Sequence, residues 1–221
     1  MRRLAVLASG RGSNLQALLD AIDAGTLDAQ IVGVFSDRLN AHALQRVPAE
    51  LRWSREAKAY AQRNDFDDEL ADAIDAVQPD WIVCAGYLRM LGDGFVARFR
   101  GRLLNIHPSL LPAYRGLKTH ARAIADGAAE HGASVHFVSP ELDAGAVIAQ
   151  ARVPVLEGDT PDALAERVLG VEHPLLVAVV RLAAQGRLAE AGETALLDGQ
   201  PLLAPLSVES ADSACMALPT K

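Results

Sequence analysis

A strand, a glycine-rich turn, a helix and a second strand succeed one another within residues 4–35, and no other feature restricts the fold as much. Leu4-Ala5-Val6-Leu7-Ala8 is a continuous apolar run of the kind buried on both faces. Ser9-Gly10-Arg11-Gly12 turns the chain. Ser13-Asn14-Leu15-Gln16 reads as a capping box, with Ser13 capping a helix and Gln16 reaching back to it. Leu15, Leu18, Leu19 and Ile22 give that helix its apolar stripe. Ile31-Val32-Gly33-Val34-Phe35 is the second strand. Strand, helix and strand at this spacing form a βαβ unit, which requires a parallel sheet.

The rest of the chain extends this pattern. Residues 38–64 are weakly patterned, with short helices expected over His42 to Val47 and Arg55 to Arg63. Phe66, Leu70, Ile74 and Val77 mark a helix face that Pro79 ends. Trp81 to Ala85 reads as a buried strand, Phe95 to Phe99 as one or two helical turns, and Leu103 to Ile106 as a strand closed by Pro108. Alternation in Ser134 to Val138 and in Val147 to Val155 predicts an antiparallel pair around a turn at Asp143. Thr160-Pro161 opens a helix running toward Gln185, which Pro174 should kink or split. Asp198-Gly199 signals a small terminal hairpin. The expected fold is α/β and Rossmann-like: a mostly parallel twisted sheet with flanking helices and an antiparallel C-terminal edge. One domain is expected over 1–203, its halves meeting near residue 100, with a mobile tail over 204–221.

Half of the 221 residues are hydrophobic, ample for one core. A net charge of −7 with no basic block argues against a nucleic-acid partner. Cys84 and Cys215 give no disulfide framework, and Cys84 sits in an apolar run as a reduced core residue. Gly10 and Gly12 interrupt the first apolar run too early for a signal peptide, and no apolar stretch is long enough to span a bilayer. The expected setting is cytoplasmic.

Three sets of residues carry chemistry. The first is the turn at residues 9–14, where glycines permit close backbone approach and a helix N-terminus offers N–H groups to an anion. An ordinary βα turn with no ligand is the plain alternative. Dinucleotide binding is another, since Gly10 and Gly12 precede Asp37 at about the right distance, but Leu15 stands where a third glycine belongs. The second is Gly86-Tyr87-Leu88-Arg89-Met90-Leu91, which combines apolar groups with a cation and which spacing alone reads as a core-packing turn. The third is Asn105, His107 and Asp143, an amide, an imidazole and a carboxylate. Acyl transfer to an amine passes through a tetrahedral oxyanion, and these groups can stabilise its charge and take a proton from nitrogen. Asn105 and His107, two apart on an extended segment, can point to one side. Ser134 and His136 share a face of their strand and are candidates to support His107. Each residue alone has a bland reading as a turn former or a satisfied core group. His120, His131 and His173 lack metal-ligand spacing, so no metal is expected.

The run Asn105-Ile106-His107-Pro108-Ser109-Leu110-Leu111-Pro112, followed by Glu141-Leu142-Asp143-Ala144-Gly145, resembles the folate-dependent formyltransferases. The likeness extends from about Arg3 to about Leu202, and Gly116-Leu117-Lys118-Thr119-His120 points to the branch acting on phosphoribosylglycinamide. The resemblance implies formyl transfer from 10-formyltetrahydrofolate to that nucleotide's amine, in purine biosynthesis. It implies catalysis by Asn105, His107 and Asp143. It assigns the nucleotide to Gly12, Ser13, Asn14, Arg63, Gly86, Pro108 and Glu172. Folate falls to Leu88, Arg89, Met90, Leu91, Asn105, Val138, Glu141 and Asp143. Small molecules would be the partners, and the enzyme would be a monomer or homodimer. The chain departs from the family at Ala144, where a second glycine is usual, and at Arg115 and Lys118, in a loop expected to be mobile. Rival readings are a formyltransferase for methionyl-tRNA or an amino sugar, a formyltetrahydrofolate hydrolase, and a binding module without activity.

Overall fold

A computed structural model describes residues 1–208 and divides the chain into two compact units, Met1–Asn105 and Ile106–Lys221. In the first unit the strands β1 (Arg2–Leu7), β2 (Ala29–Ser36), β3 (Arg52–Ser54), β4 (Trp81–Cys84) and β5 (Leu103–His107, which runs on past Asn105) lie in the order β3-β2-β1-β4-β5. All pair in parallel, with Leu7 beside both Phe35 and Cys84, and Cys84 beside Asn105. Leu4 to Ala8 are wholly buried, as their unbroken apolar run requires.

Helix α1 (Ser13–Asp23) follows β1, but its cap differs from the expected box. Gly12, at φ 75°, is the N-cap and Ser13 is already helical. Gln16 instead bonds Asp20 and Arg46. The left-handed turn at Gly12 sets where the helix starts, a demand that outranks a serine's capping preference. Helix α2 (Arg63–Ala76) buries Phe66, Leu70 and Ile74, and α3 (Asp93–Arg98) packs against it.

Residues 38–62 depart most from expectation. His42–Arg46 is a 3₁₀ turn, and no helix runs from Arg55 to Arg63, only a 3₁₀ turn at Ala57–Ala59. The sequence pattern gave no hint of β3. Only three residues long, it is fixed by Trp53 against Phe35 and Phe66, each at 6.0 Å between ring centroids. One side chain among polar neighbours leaves no alternation to read.

In the second unit β6 (Glu130–Phe137) and β7 (Val147–Pro154) pair antiparallel, as expected. Helix α4 (Thr119–Ala125) follows a loop, and α5 (Pro161–Ala184) packs on β6 and β7. Thr160 caps α5 through its Oγ1, which accepts from the Ala163 amide at 3.2 Å. Pro174 does not split α5. Its ring sits exposed while Leu175, Leu176, Val179 and Val180 anchor the next turns in the core. The hairpin at Asp198-Gly199 forms between β9 (Thr194–Leu197) and β10 (Gln200–Pro201), with φ 52° and 76° at the two turn residues, and β8 (Leu188–Ala191) completes a three-stranded sheet. Of the segment expected as a tail, Leu206 lies on β7: its amide donates to the Ile148 carbonyl at 2.9 Å and its carbonyl accepts from the Gln150 amide at 2.8 Å. Residues beyond 208, including Cys215, lie outside the described residues. The expected fold class holds: parallel strands with flanking helices come first, antiparallel strands later.

Candidate active site

Two loops of the first unit follow strand ends. After β1, Gly12 is needed for conformation and for space. Its φ of 75° suits glycine, and a Cβ there would lie 2.7 Å from Ala43 Cα. The 3₁₀ turn at His42–Arg46 buttresses this loop. The Ala43 amide donates to the Gly10 carbonyl at 3.0 Å, Arg46 Nε to the Arg11 carbonyl at 2.9 Å, and Arg46 Nη1 to Gln16 Oε1 at 2.7 Å. No side chain caps α1 and its first turn holds no acid, so its positive end suits an anion. Asp37 is the residue that dinucleotide binding would use for a ribose. Its Oδ1 accepts the Ser9 hydroxyl at 2.6 Å.

The second loop, Gly86 to Leu91, follows β4, with Leu88 and Met90 exposed. Beneath it, the buried Asp67 carboxylate accepts from the Gly92 amide at 2.9 Å and lies 3.5 Å from Arg89 Nε and 3.6 Å from Arg63 Nε. The Arg89 guanidinium stacks over Phe66 at 4.9 Å. Arg63 Nη2 donates to the Met90 carbonyl at 2.5 Å. Arg63, expected with the nucleotide's phosphate, is thus tied to the loop expected to hold folate.

The second unit gathers the titratable groups. Asn105 ends the first unit half-buried on β5, and His107, buried, follows two residues on. His107 Nδ1 lies 3.4 Å from Asp143 Oδ2, and its Nε2 lies 3.1 Å from the Tyr114 carbonyl. Both ring nitrogens therefore face acceptors, and a ring carrying both protons meets both. Asp143 Oδ2 also accepts from the Gly116 amide at 2.9 Å. The residue sits at φ 48°, a left-handed conformation that a short acidic residue tolerates. Ala144 is not at positive φ, so its methyl meets no backbone penalty. Gly145 is the constrained position, because a Cβ there would lie 1.8 Å from the Phe137 carbonyl oxygen.

His136, named only as a supporting residue, comes closer than expected. Its Nε2 lies 3.7 Å from Asp143 Oδ1. Its Nδ1 lies 2.7 Å from the Phe137 carbonyl and so carries the proton. Burial pushes this imidazole well below its usual range, which outweighs the Asp143 charge. The neutral ring then turns a lone pair toward Oδ1. Of the two carboxylate oxygens, Oδ2 lies beside the Gly116 amide and His107, and Oδ1 faces His136.

Ser134, the other supporting candidate, holds the chain after His107 and not His107 itself. Its Oγ donates to the Ser109 carbonyl at 2.7 Å and accepts from the Leu111 amide and Gln150 Nε2, each at 3.0 Å. The loop over residues 113–118, expected to be loose, is tied down by the Tyr114 and Gly116 bonds and by Arg115 Nη1 on Glu141 Oε1 at 2.6 Å. Glu141 is exposed, Val138 and Pro108 are half-buried, and Glu172 is buried on α5. Among the described residues no group of three or more His, Cys, Asp or Glu could hold a metal ion, and no helix is long and apolar enough to cross a membrane.

Comparison with known proteins finds a family and several solved structures like this chain. A family model described as formyl transferase matches residues 2–180. The chain is 45% identical over 201 residues to phosphoribosylglycinamide formyltransferase of Escherichia coli strain K12, covering 90% of this chain and 95% of that one. The solved structure of phosphoribosylglycinamide formyltransferase from Coxiella burnetii, in complex with CHES, superposes with a TM-score of 0.88 at 42% identity, over 93% of this chain and 98% of that one. A formyltetrahydrofolate deformylase from Pseudomonas syringae pv. tomato gives a TM-score of 0.78 at 25% identity, over 89% of this chain and 65% of that one.

Proposed function

The chain belongs to the formyl transferase family, and from that premise we propose that it moves the formyl group of 10-formyltetrahydrofolate onto the amine of phosphoribosylglycinamide, in purine biosynthesis. The observation that carries the mechanism is the buried His107–Asp143 pair, reached along β5 directly after Asn105. The amine attacks the formyl carbon and a carbon–nitrogen bond forms. The carbonyl oxygen becomes an oxyanion, stabilised by the Asn105 amide and by one N–H of protonated His107, which exchanges a protein acceptor for it. Asp143 accepts the amine proton at Oδ1, directly or through a water. The bond from the formyl carbon to the folate nitrogen then breaks, and that nitrogen leaves as tetrahydrofolate with the proton that Asp143 gives back, directly or through a water.

Gly12, Ser13 and Asn14 receive the nucleotide's phosphate on the free end of α1, and Gly86, Pro108 and Glu172 complete its site. Leu88 to Leu91 and Val138 to Asp143 receive the folate. Arg63 belongs with Arg89 on this side, where two cations suit the carboxylates of a folate tail, in place of the phosphate role expected for it. The reading takes the enzyme as a monomer or homodimer in the cytoplasm that works on small molecules alone. Within it, residues 1–203 act as one domain, the first half serving the nucleotide and the second carrying the catalytic edge.

A deformylase shares the fold, so hydrolysis is the reading to exclude. The test follows loss of the formyl group from 10-formyltetrahydrofolate by absorbance, with and without phosphoribosylglycinamide. Loss only with the nucleotide is the expected result. Equal loss without it makes the protein a hydrolase.

A further inference from the structure

We propose that Ser9 and Asp37 form a single clip that positions both substrate loops, so that this one contact sets the affinity for nucleotide and folate together. The inference rests on reading residues 10–14 and 86–91 as the two substrate loops.

Two partners meet at the Ser9 hydroxyl oxygen. Ser9 is buried at the end of β1, at the base of the first loop. Its Oγ donates to Asp37 Oδ1 at 2.6 Å and accepts from the Leu88 amide at 2.9 Å. Its own amide donates to the Gly86 carbonyl at 3.1 Å. A hydroxyl has one proton to give. The Leu88 amide can only donate and an ionised carboxylate can only accept, so the serine proton must point to Asp37 and a lone pair to Leu88. Asp37 thereby fixes the hydroxyl's direction without touching either loop.

The placement gives this consequence. Ser9, Asp37 and Leu88 follow β1, β2 and β4, and β1 lies between the other two in the sheet. Open α/β sheets hold their ligands where successive strands leave in opposite directions from a shared centre, and β1 is that centre here. Asp37 stays sheltered at 11% side-chain exposure, and Arg38 Nε lies 3.9 Å from its other oxygen. Tyr87, beside Leu88, encloses a hydroxyl that has no protein partner among the described residues. Burial, and next the Asp37 charge, push that phenol up.

The test compares Ser9→Ala, Asp37→Leu and Asp37→Asn by steady-state kinetics. Ser9→Ala and Asp37→Leu should raise KM for both substrates by roughly tenfold, with kcat within about twofold of wild type. Asp37→Asn keeps an acceptor oxygen and should stay within about twofold in both KM values. A change in one KM only, in neither, or an Asp37→Asn variant as impaired as Asp37→Leu, overturns the clip. Should the variants fold poorly, hydrogen exchange on the wild-type protein decides. Phosphoribosylglycinamide alone should slow exchange of the Leu88 amide, and an unchanged rate refutes the proposal. Amide chemical shifts separate this failure from failure of the loop reading. Phosphoribosylglycinamide should move the signals of residues 10–14 and tetrahydrofolate those of residues 88–91. No movement in either loop overturns both the loops and the clip; movement there with unaltered KM values overturns the clip alone.

Discussion

Asp143 does its work through one oxygen at a time. Gly116 and His107 occupy Oδ2, and His136 turns a lone pair toward Oδ1. Asp143→Asn keeps the shape and loses the proton acceptor, so kcat should fall on the order of a hundredfold or more while the folate KM changes less than about threefold. An unchanged kcat in a steady-state assay would remove Asp143 from the mechanism. Gly145→Ala tests the turn that presents this carboxylate. A methyl 1.8 Å from the Phe137 carbonyl oxygen must push the chain apart, and the cost should be about 3 kcal/mol, read as a lowered urea midpoint, together with lost turnover. Ala144→Gly, by contrast, should leave turnover nearly unaltered, because residue 144 has an ordinary backbone conformation. His107 and Asp143 stand in two separate motifs, and the structure brings them within 3.4 Å. The sequence hid the partnership of His136 with Asp143, since a histidine on an apolar strand looks the same whether its far nitrogen meets a carboxylate or the core.

At the level of elements, the legible parts were those with a period. Helix α2 announced itself through Phe66, Leu70 and Ile74, and β1 and β4 through unbroken apolar runs. The stretch from His42 to Ala59 has no period because it is held by single bonds and single rings. Arg52 reaches the Val47 carbonyl with two nitrogens, at 2.8 and 2.6 Å, and Trp53 packs its ring on Phe35. That irregular stretch nonetheless supports the first substrate loop through Arg46 and Ala43. Arg46→Ala should raise the nucleotide KM about fivefold through loss of loop order, with the folate KM and kcat little changed. Kinetics with each substrate varied in turn separates this from the joint shift expected at Ser9.

Over the whole molecule, buried histidines set the response to acid. Burial pushes His131 down to about 4, and it lowers His120 and His136 too. The unfolded chain takes up these protons near pH 6.5, so the unfolded state binds more protons between there and pH 4. Stability must therefore fall as the pH drops through that interval. For His131 the loss from pH 6.5 to 5 is roughly 1 to 2 kcal/mol, and His131→Gln should flatten that part of the curve, measured as urea midpoints against pH. The short pairing of Leu206 with β7 has a different consequence. β7 is the last strand in the sheet order, and Leu206 satisfies backbone groups at Ile148 and Gln150 that an open edge would offer to another chain. A protein cut after Leu203 should keep its chemistry and lose its good manners in concentrated solution: gel filtration at rising concentration should show it adding strand to strand, while the full chain elutes unchanged.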